Sequence, residues 1–266
     1  MSEIQNGEMR NIKLTLEYDG TEFSGSQLQP NGRTVQGELE KAAARLTGLA
    51  HSQRCKVILA GRTDSGVHAS GQVANFKTES RHSLETFQRG LNALLPYDVA
   101  VRRVEEVEER FHARFSAIGR RYHYRILNRA VRSPLERRFA AHVAEPLAVE
   151  AMDEAARRLI GEHDFASFAG DGWGIGGDEP EGEKPATIRR MSGASCQRES
   201  NGLIRIELAA NAFLPHMVRN IVGTLLMVGT GKLTLAEFEG ILAAQDRRRA
   251  GPTAPACGLC LVEVQY

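Results

Sequence analysis

The chain has 266 residues, 42% of them apolar and 25% charged, with a net charge of +1. This is the balance of an ordinary soluble globular protein, long enough for one large domain or two small ones with a real core. No apolar run approaches the ~20 residues of a membrane helix, and the opening MSEIQNGEMR reads as neither signal nor transit peptide, so a cytoplasmic location is expected.

Asn11–Tyr18 alternates Ile12, Leu14, Leu16 and Tyr18 against Lys13, Thr15 and Glu17, which predicts a strand. After a polar loop, Val35, Leu39, Ala42, Ala43 and Leu46 recur at helical spacing behind the capping residue Thr34. Cys55–Ala60 and Gln72–Thr78 predict strands on either side of the segment AGRTDSGVHA. Leu84, Phe87, Leu91 and Leu94 mark a second helix, capped by Ser83 and stopped at Pro96, and Val99–Val107 a further strand. The order β-α-β-β-α-β is the ferredoxin-like plan.

The second half repeats it. Arg120–Leu127 sets Tyr122, Tyr124 and Ile126 against His123, Arg125 and Leu127. Met152, Ala155, Ala156, Leu159 and Ile160 form a helical stripe. Thr187–Gln197 and Leu203–Ala210 suit a hairpin turning at Ser200-Asn-Gly202. Leu214–Val228 is apolar nearly all round and predicts a buried helix. Thr234 and Glu237 form a capping box for another helix, and Leu259–Tyr266 closes as a strand. The expected fold is therefore α+β: two ferredoxin-like halves, 1–115 and 116–266, related by a pseudo-twofold with a cleft between them, each with an antiparallel or mixed sheet flanked by helices.

Between Ala169 and Pro185 the chain is glycine-rich, acidic and aperiodic, a surface loop. It holds G-x-G-x-x-G, but Asp178-Glu-Pro180 follows, not the helix that dinucleotide binding requires. Of four cysteines, Cys257 and Cys260 make a C-x-x-C without a second ligand pair or helix start, so no metal is expected and the thiols read as a turn residue and a buried strand residue. The near-zero net charge hides a local bias: Arg110–Arg138 contains nine arginines and one acid, Glu136. Such a stripe is either a solvated face or the electrostatic footprint of a polyanion.

The most concentrated chemistry lies in Ala60–Ala69. Asp64 sits among Arg62, Thr63, Ser65 and His68, with two glycines. A turn needs Gly and Asp but not that company. No second acid is there to complete a glycosidase pair, and Asp64-Ser65 lacks the G-x-S-x-G frame of a hydrolase. A lone carboxylate acts as nucleophile or base if it is held ionised and aimed; the alternative is a side chain that caps its own turn.

GRTDSGVHA resembles the GRTDxGVHA signature of the tRNA pseudouridine synthase A (TruA) family. Six further segments match it in order: EYDGTEFSGSQLQ, RTVQGELE, NALLPYDVAV, FHARFSAIGRRYHYRI, NAFLPHMVRNIVGTLL and GPTAPACGLCLVEVQY. The likeness runs from about Asn11 to Tyr266. It implies an isomerase that converts uridine to pseudouridine at tRNA positions 38, 39 and 40, in the anticodon stem-loop, as a homodimer without cofactor. By that resemblance Asp64 is catalytic, by attack on C1′ or by proton removal to a glycal. Tyr122 packs on the target base, Arg219 is the ion-pair partner of the aspartate, and Arg62 helps hold the flipped nucleotide. An arginine on so apolar a helix also calls for a buried anion on residue type alone. From the arginine stripe, Arg114, Arg120 and Arg121 are expected on tRNA backbone. Ser26 departs from the family, which usually has Trp or Phe there, and Cys260 stands where Tyr is usual. The rival reading of β-α-β-β-α-β is an RNA-recognition module, but no segment carries its K/R-G-F/Y-G/A-F-V-x-F/Y run.

Overall fold

The computed structural model describes residues 9–49, 54–170 and 187–266. From residue 171 the glycine-rich loop, with its G-x-G-x-x-G run, lies outside the described residues. The fold is α+β, in two units. One takes the chain as far as Ala117 together with Leu261–Tyr266; the other is Ile118–Cys260. The last six residues thus return to the first unit, which a boundary drawn along the chain at 115/116 does not express.

In the first unit β1 (Arg10–Tyr18) lies between β3 (His68–Thr78) and β4 (Val99–Val107), antiparallel to both. The short β2 (Val57–Leu59) also pairs with β3. Leu14 faces Ala74 on one side and Val104 on the other. The alternation of β1 puts Ile12, Leu14 and Leu16 wholly inside, and α1 (Val35–Leu46) and α2 (Leu84–Leu94) bury Leu39, Phe87 and Leu91 in the same unit. Both caps form as the sequence predicts: Thr34 Oγ1 accepts from Gly37 N at 3.2 Å and Ser83 Oγ from Thr86 N at 3.1 Å. β3 starts four residues earlier than its composition suggests. Nearly all of β3 is buried, so no alternation marks where it begins. The loop carrying Asp64 is correspondingly tight.

In the second unit β9 (Leu203–Ala210) lies between β5 (Gly119–Asn128) and β8 (Ile188–Arg198), antiparallel to both. The β8–β9 hairpin turns with positive φ at Asn201 (59°) and Gly202 (76°), as a tight right-twisted hairpin requires. Two short strands escape the sequence reading: β6 (Ala141–Val143), parallel to β5, and β7 (Gly161–Asp164), antiparallel to β8. Tyr124, Ile126, Ile204 and Ile206 are wholly buried, and α3 (Val149–Arg157), α4 (Met217–Gly229) and α5 (Leu235–Ala244) complete this unit. α4 begins three residues later than its apolar run, because His216 before it takes φ +58°, off the helical path. α5 carries the expected capping box, with Thr234 N donating to Glu237 Oε2 at 2.8 Å. From Leu259 the chain runs as β10 (Leu259–Gln265). Among the described residues no helix is long and apolar enough to cross a membrane.

Candidate active site

Asp64 is half-buried in the loop that joins β2 to β3. That loop is anchored on both sides of Arg62, at Gly61 and at Thr63. At its entry, Gln72 on β3 grips Gly61 from both sides: Nε2 donates to Gly61 O at 2.9 Å and Oε1 accepts from Gly61 N at 3.3 Å. Gln72 Nε2 also reaches Tyr18 Oη at 3.3 Å, and the Tyr18 hydroxyl bonds Thr63 Oγ1 at 2.8 Å. Ser26 holds the backbone of Thr63 twice: Ser26 Oγ accepts from Thr63 N at 2.8 Å, and Ser26 N donates to Thr63 O at 3.0 Å. Beyond the aspartate, Val67 N donates to Asp64 O at 3.1 Å and closes the turn, which Gly66 completes at φ +78°. Ser65 Oγ donates to Phe23 O at 3.0 Å.

The β1–α1 loop provides most of this cradle, and two of its glycines are there because backbone passes backbone. A Cβ on Gly20 would lie 2.0 Å from Val67 O, and one on Gly25, itself at φ +95°, 3.0 Å from Thr63 O. His68 Nδ1 accepts from Gly20 N at 3.1 Å and ties the same loop to the start of β3. β2 is steadied from α1: buried Glu40 accepts from Val57 N at 3.1 Å and is ion-paired with Arg54. The structure therefore brings Asp64, Thr63, Ser65 and His68 into one supported turn, with Arg62 exposed beside it. It adds Tyr18, Ser26 and Gln72, which sequence reasoning did not assign to the site. The only signal for Ser26 was its unexpected residue type.

Tyr122 lies on β5, 7% exposed, with its ring edge-on to Phe213 at 5.0 Å between centroids. Phe213 is a neighbour that the sequence did not single out. Arg219 stands at the third position of α4, half-buried. Its Nε donates to Ala254 O at 2.8 Å, and Ala254 N donates back to Arg219 O at 3.1 Å. The backbone carbonyl meets part of the polar demand that the apolar helix appeared to place on a carboxylate alone.

The arginine stripe is mixed. Arg114 is exposed, its guanidinium 5.5 Å from the centre of the Phe115 ring. Arg120 Nη1 donates to Asn211 O at 3.1 Å. Arg121 is ion-paired with Glu207 at 3.1 Å, and the second oxygen of Glu207 meets His123 Nε2 at 2.7 Å. Three of the four thiols are held protonated at neutral pH. Burial, helped by Glu40, pushes Cys55 up to about 11, and burial, helped by Asp153, pushes Cys196 to about 12. Burial also raises Cys257, whose Sγ donates to Ala140 O at 3.8 Å.

Comparison with known proteins identifies the family of the chain. A family model described as tRNA pseudouridine synthase matches residues 15–116 and 155–266. A tRNA pseudouridine synthase A of Roseiflexus castenholzii is 50% identical over 261 residues, covering 97% of this chain and 91% of the relative. The protein of that name from Chloroflexus aurantiacus is 49% identical, covering 97% and 89%. That of Ruminiclostridium cellulolyticum is 43% identical over 258 residues, covering 97% and 100%. The likeness runs along nearly the whole chain, and the chain belongs to the tRNA pseudouridine synthase family, isomerases that modify tRNA.

Proposed function

We propose that this enzyme isomerises uridine to pseudouridine at positions 38, 39 and 40 of the tRNA anticodon stem-loop, with Asp64 as its one catalytic carboxylate and no cofactor. The observation that supports this most directly is the cradle of Asp64: one carboxylate, half-buried, on a turn held at Gly61, Thr63 and Val67. In the reaction the uridine N1–C1′ bond breaks, the uracil turns, and C5 bonds to C1′. A proton leaves C5 and N1 gains one, so the product is an isomer. Both routes to the break begin at an ionised carboxylate beside the ribose. It attacks C1′, or it takes a proton and leaves a glycal. Both fail without that charge.

A stem nucleotide must leave its stack before its sugar can be reached. Arg62, exposed one residue before Thr63, is proposed to hold it out, with Tyr122 against the base and Arg219 among the substrate-binding residues. Arg114, Arg120 and Arg121 are proposed for the RNA backbone. The enzyme is proposed to act in the cytoplasm as a homodimer whose RNA spans both subunits.

The test is Asp64→Asn, nearly isosteric, which should fold and bind tRNA like the parent. Its turnover on uridine-labelled tRNA should fall by several orders of magnitude, as when a nucleophile or base is lost. Product within about tenfold of the parent rate overturns the assignment, and release of free uracil by the parent overturns the isomerase reading of this chain.

A further inference from the structure

We propose that Ser26 is a positioning residue for Asp64, setting the place of the carboxylate through the backbone of Thr63. The inference rests on the reading of Asp64 as catalytic. Its ground is a pair of hydrogen bonds with an unusual reach. A peptide unit is planar and rigid. Thr63 N belongs to the plane shared with Arg62, and Thr63 O to the plane shared with Asp64. Ser26 Oγ accepts from the first at 2.8 Å and Ser26 N donates to the second at 3.0 Å. One residue thus pins two successive planes, fixes the torsions of Thr63, and so sets where the Asp64 Cα sits.

Ser26 is itself immobile. It is completely buried. Its carbonyl accepts from Gln36 N at 2.9 Å, in the first turn of α1, and the left-handed Gly25 precedes it. Helix α1 is therefore coupled to the aspartate's loop through three hydrogen bonds, one of them to the Ser26 hydroxyl. No water reaches the hydroxyl to replace it, and a side chain without an oxygen leaves Thr63 N buried and unsatisfied, which the turn relieves only by shifting.

A role confined to stability would appear as a lower denaturation midpoint and nothing else. The control is Ser167, equally buried, in the other unit. Its Oγ donates to Ile241 O at 2.6 Å and accepts from Asp246 N at 2.9 Å. With each variant shown to be folded at the assay temperature, the single-turnover rate at saturating tRNA is compared with the tRNA Kd. In Ser26→Ala the rate should fall about 10- to 100-fold, the scale of a reacting group misplaced by about 1 Å, with Kd within about threefold of the parent. Ser26→Cys keeps the shape with a feebler acceptor, and its rate should lie between the two; it carries the test alone if the alanine variant does not fold. Ser167→Ala should lower the midpoint and leave the rate within about twofold of the parent.

A folded Ser26→Ala or Ser26→Cys with the parent rate overturns the inference, as does a matching loss in Ser167→Ala. Asp64→Asn separates the levels. If it is inactive while Ser26→Ala turns over normally, only the positioning role fails. If it remains active, the catalytic reading fails and takes this inference with it.

Discussion

His112 holds two backbone groups with one ring nitrogen: Nδ1 accepts from Arg114 N and from Phe115 N, at 3.2 Å each. The turn it makes presents the exposed Arg114 and Phe115. A nitrogen that accepts cannot also carry a proton. Burial lowers the His112 pKa most, a backbone hydrogen bond opposes it, and the neighbouring charges of Arg114 and Lys56 add smaller pushes downward. The folded state therefore binds this proton less readily than the unfolded chain. The stabilisation is complete above the ordinary imidazole value of about 6.5 and is lost as pH falls below it toward the depressed folded value. Asn offers the same two N–H groups an uncharged acceptor, so His112→Asn should flatten the fall in denaturation free energy between about pH 7 and pH 5. Parallel curves for parent and variant would remove His112 from the pH response. At this scale legibility in the sequence divides by distance along the chain. Asp64, Thr63, Ser65 and His68 stand out because they are crowded into one short loop. Ser26 and Tyr18 do not, because they reach Thr63 across 37 and 45 residues; Gln72 does not, because it acts from another strand, on Gly61 11 residues away and Tyr18 54 away, and a bond between elements leaves no local pattern.

Among the elements, α4 shows how a tertiary contact reverses a local preference. Gly223 lies inside it, where alanine would ordinarily add about 1 kcal/mol of helix stability. The segment after α5 crosses the helix at that point: a Cβ on Gly223 would fall 1.7 Å from Pro252 O, and one on Gly251 2.8 Å from Gly223 O. Gly251 N also donates to Thr224 Oγ1 at 2.9 Å. Gly223→Ala should therefore destabilise the protein by about 1–3 kcal/mol or more, the cost of overpacking, whereas Gly240→Ala on α5, with open space around its Cβ, should be neutral or stabilising. Denaturant midpoints decide it, and a stabilised Gly223→Ala would show that the crossing segment yields freely. The same contrast explains which elements the sequence revealed. Long periodic strands and helices with side-chain caps announced themselves. The start of α4 did not, since it depends on the left-handed His216. Nor did β6 and β7, of three and four residues, too short to show a period and formed only because a longer strand offers its edge.

For the whole molecule, the question is how a protein with a net charge of +1 would hold a polyanion. Position and pairing matter more than the sum. Within the stripe of nine arginines, Arg110 is paired with Glu108 at 2.6 Å, Arg121 with Glu207 at 3.1 Å and Arg125 with Glu136 at 3.5 Å. The sequence showed the bias but not this cancellation, because Glu207 comes from β9, which faces β5 in the folded sheet. Each phosphate that a cation neutralises adds about 0.7–0.9 to the slope of log affinity against log salt. Arg114 is exposed on its strapped turn, and if it meets a phosphate there, Arg114→Ala should lower that slope by about one and leave the single-turnover rate at saturation near that of the parent. Arg121, already engaged, should contribute less. Its test is the opposite change: Glu207→Gln releases both Arg121 and His123 from a carboxylate, and tRNA should bind more tightly and with a steeper salt slope. An unchanged slope in Arg114→Ala would place the 112–116 turn away from the RNA. Weaker binding in Glu207→Gln would mean that Glu207 serves to orient Arg121 toward a phosphate, since a carboxylate that only cancelled charge could not be missed in this way.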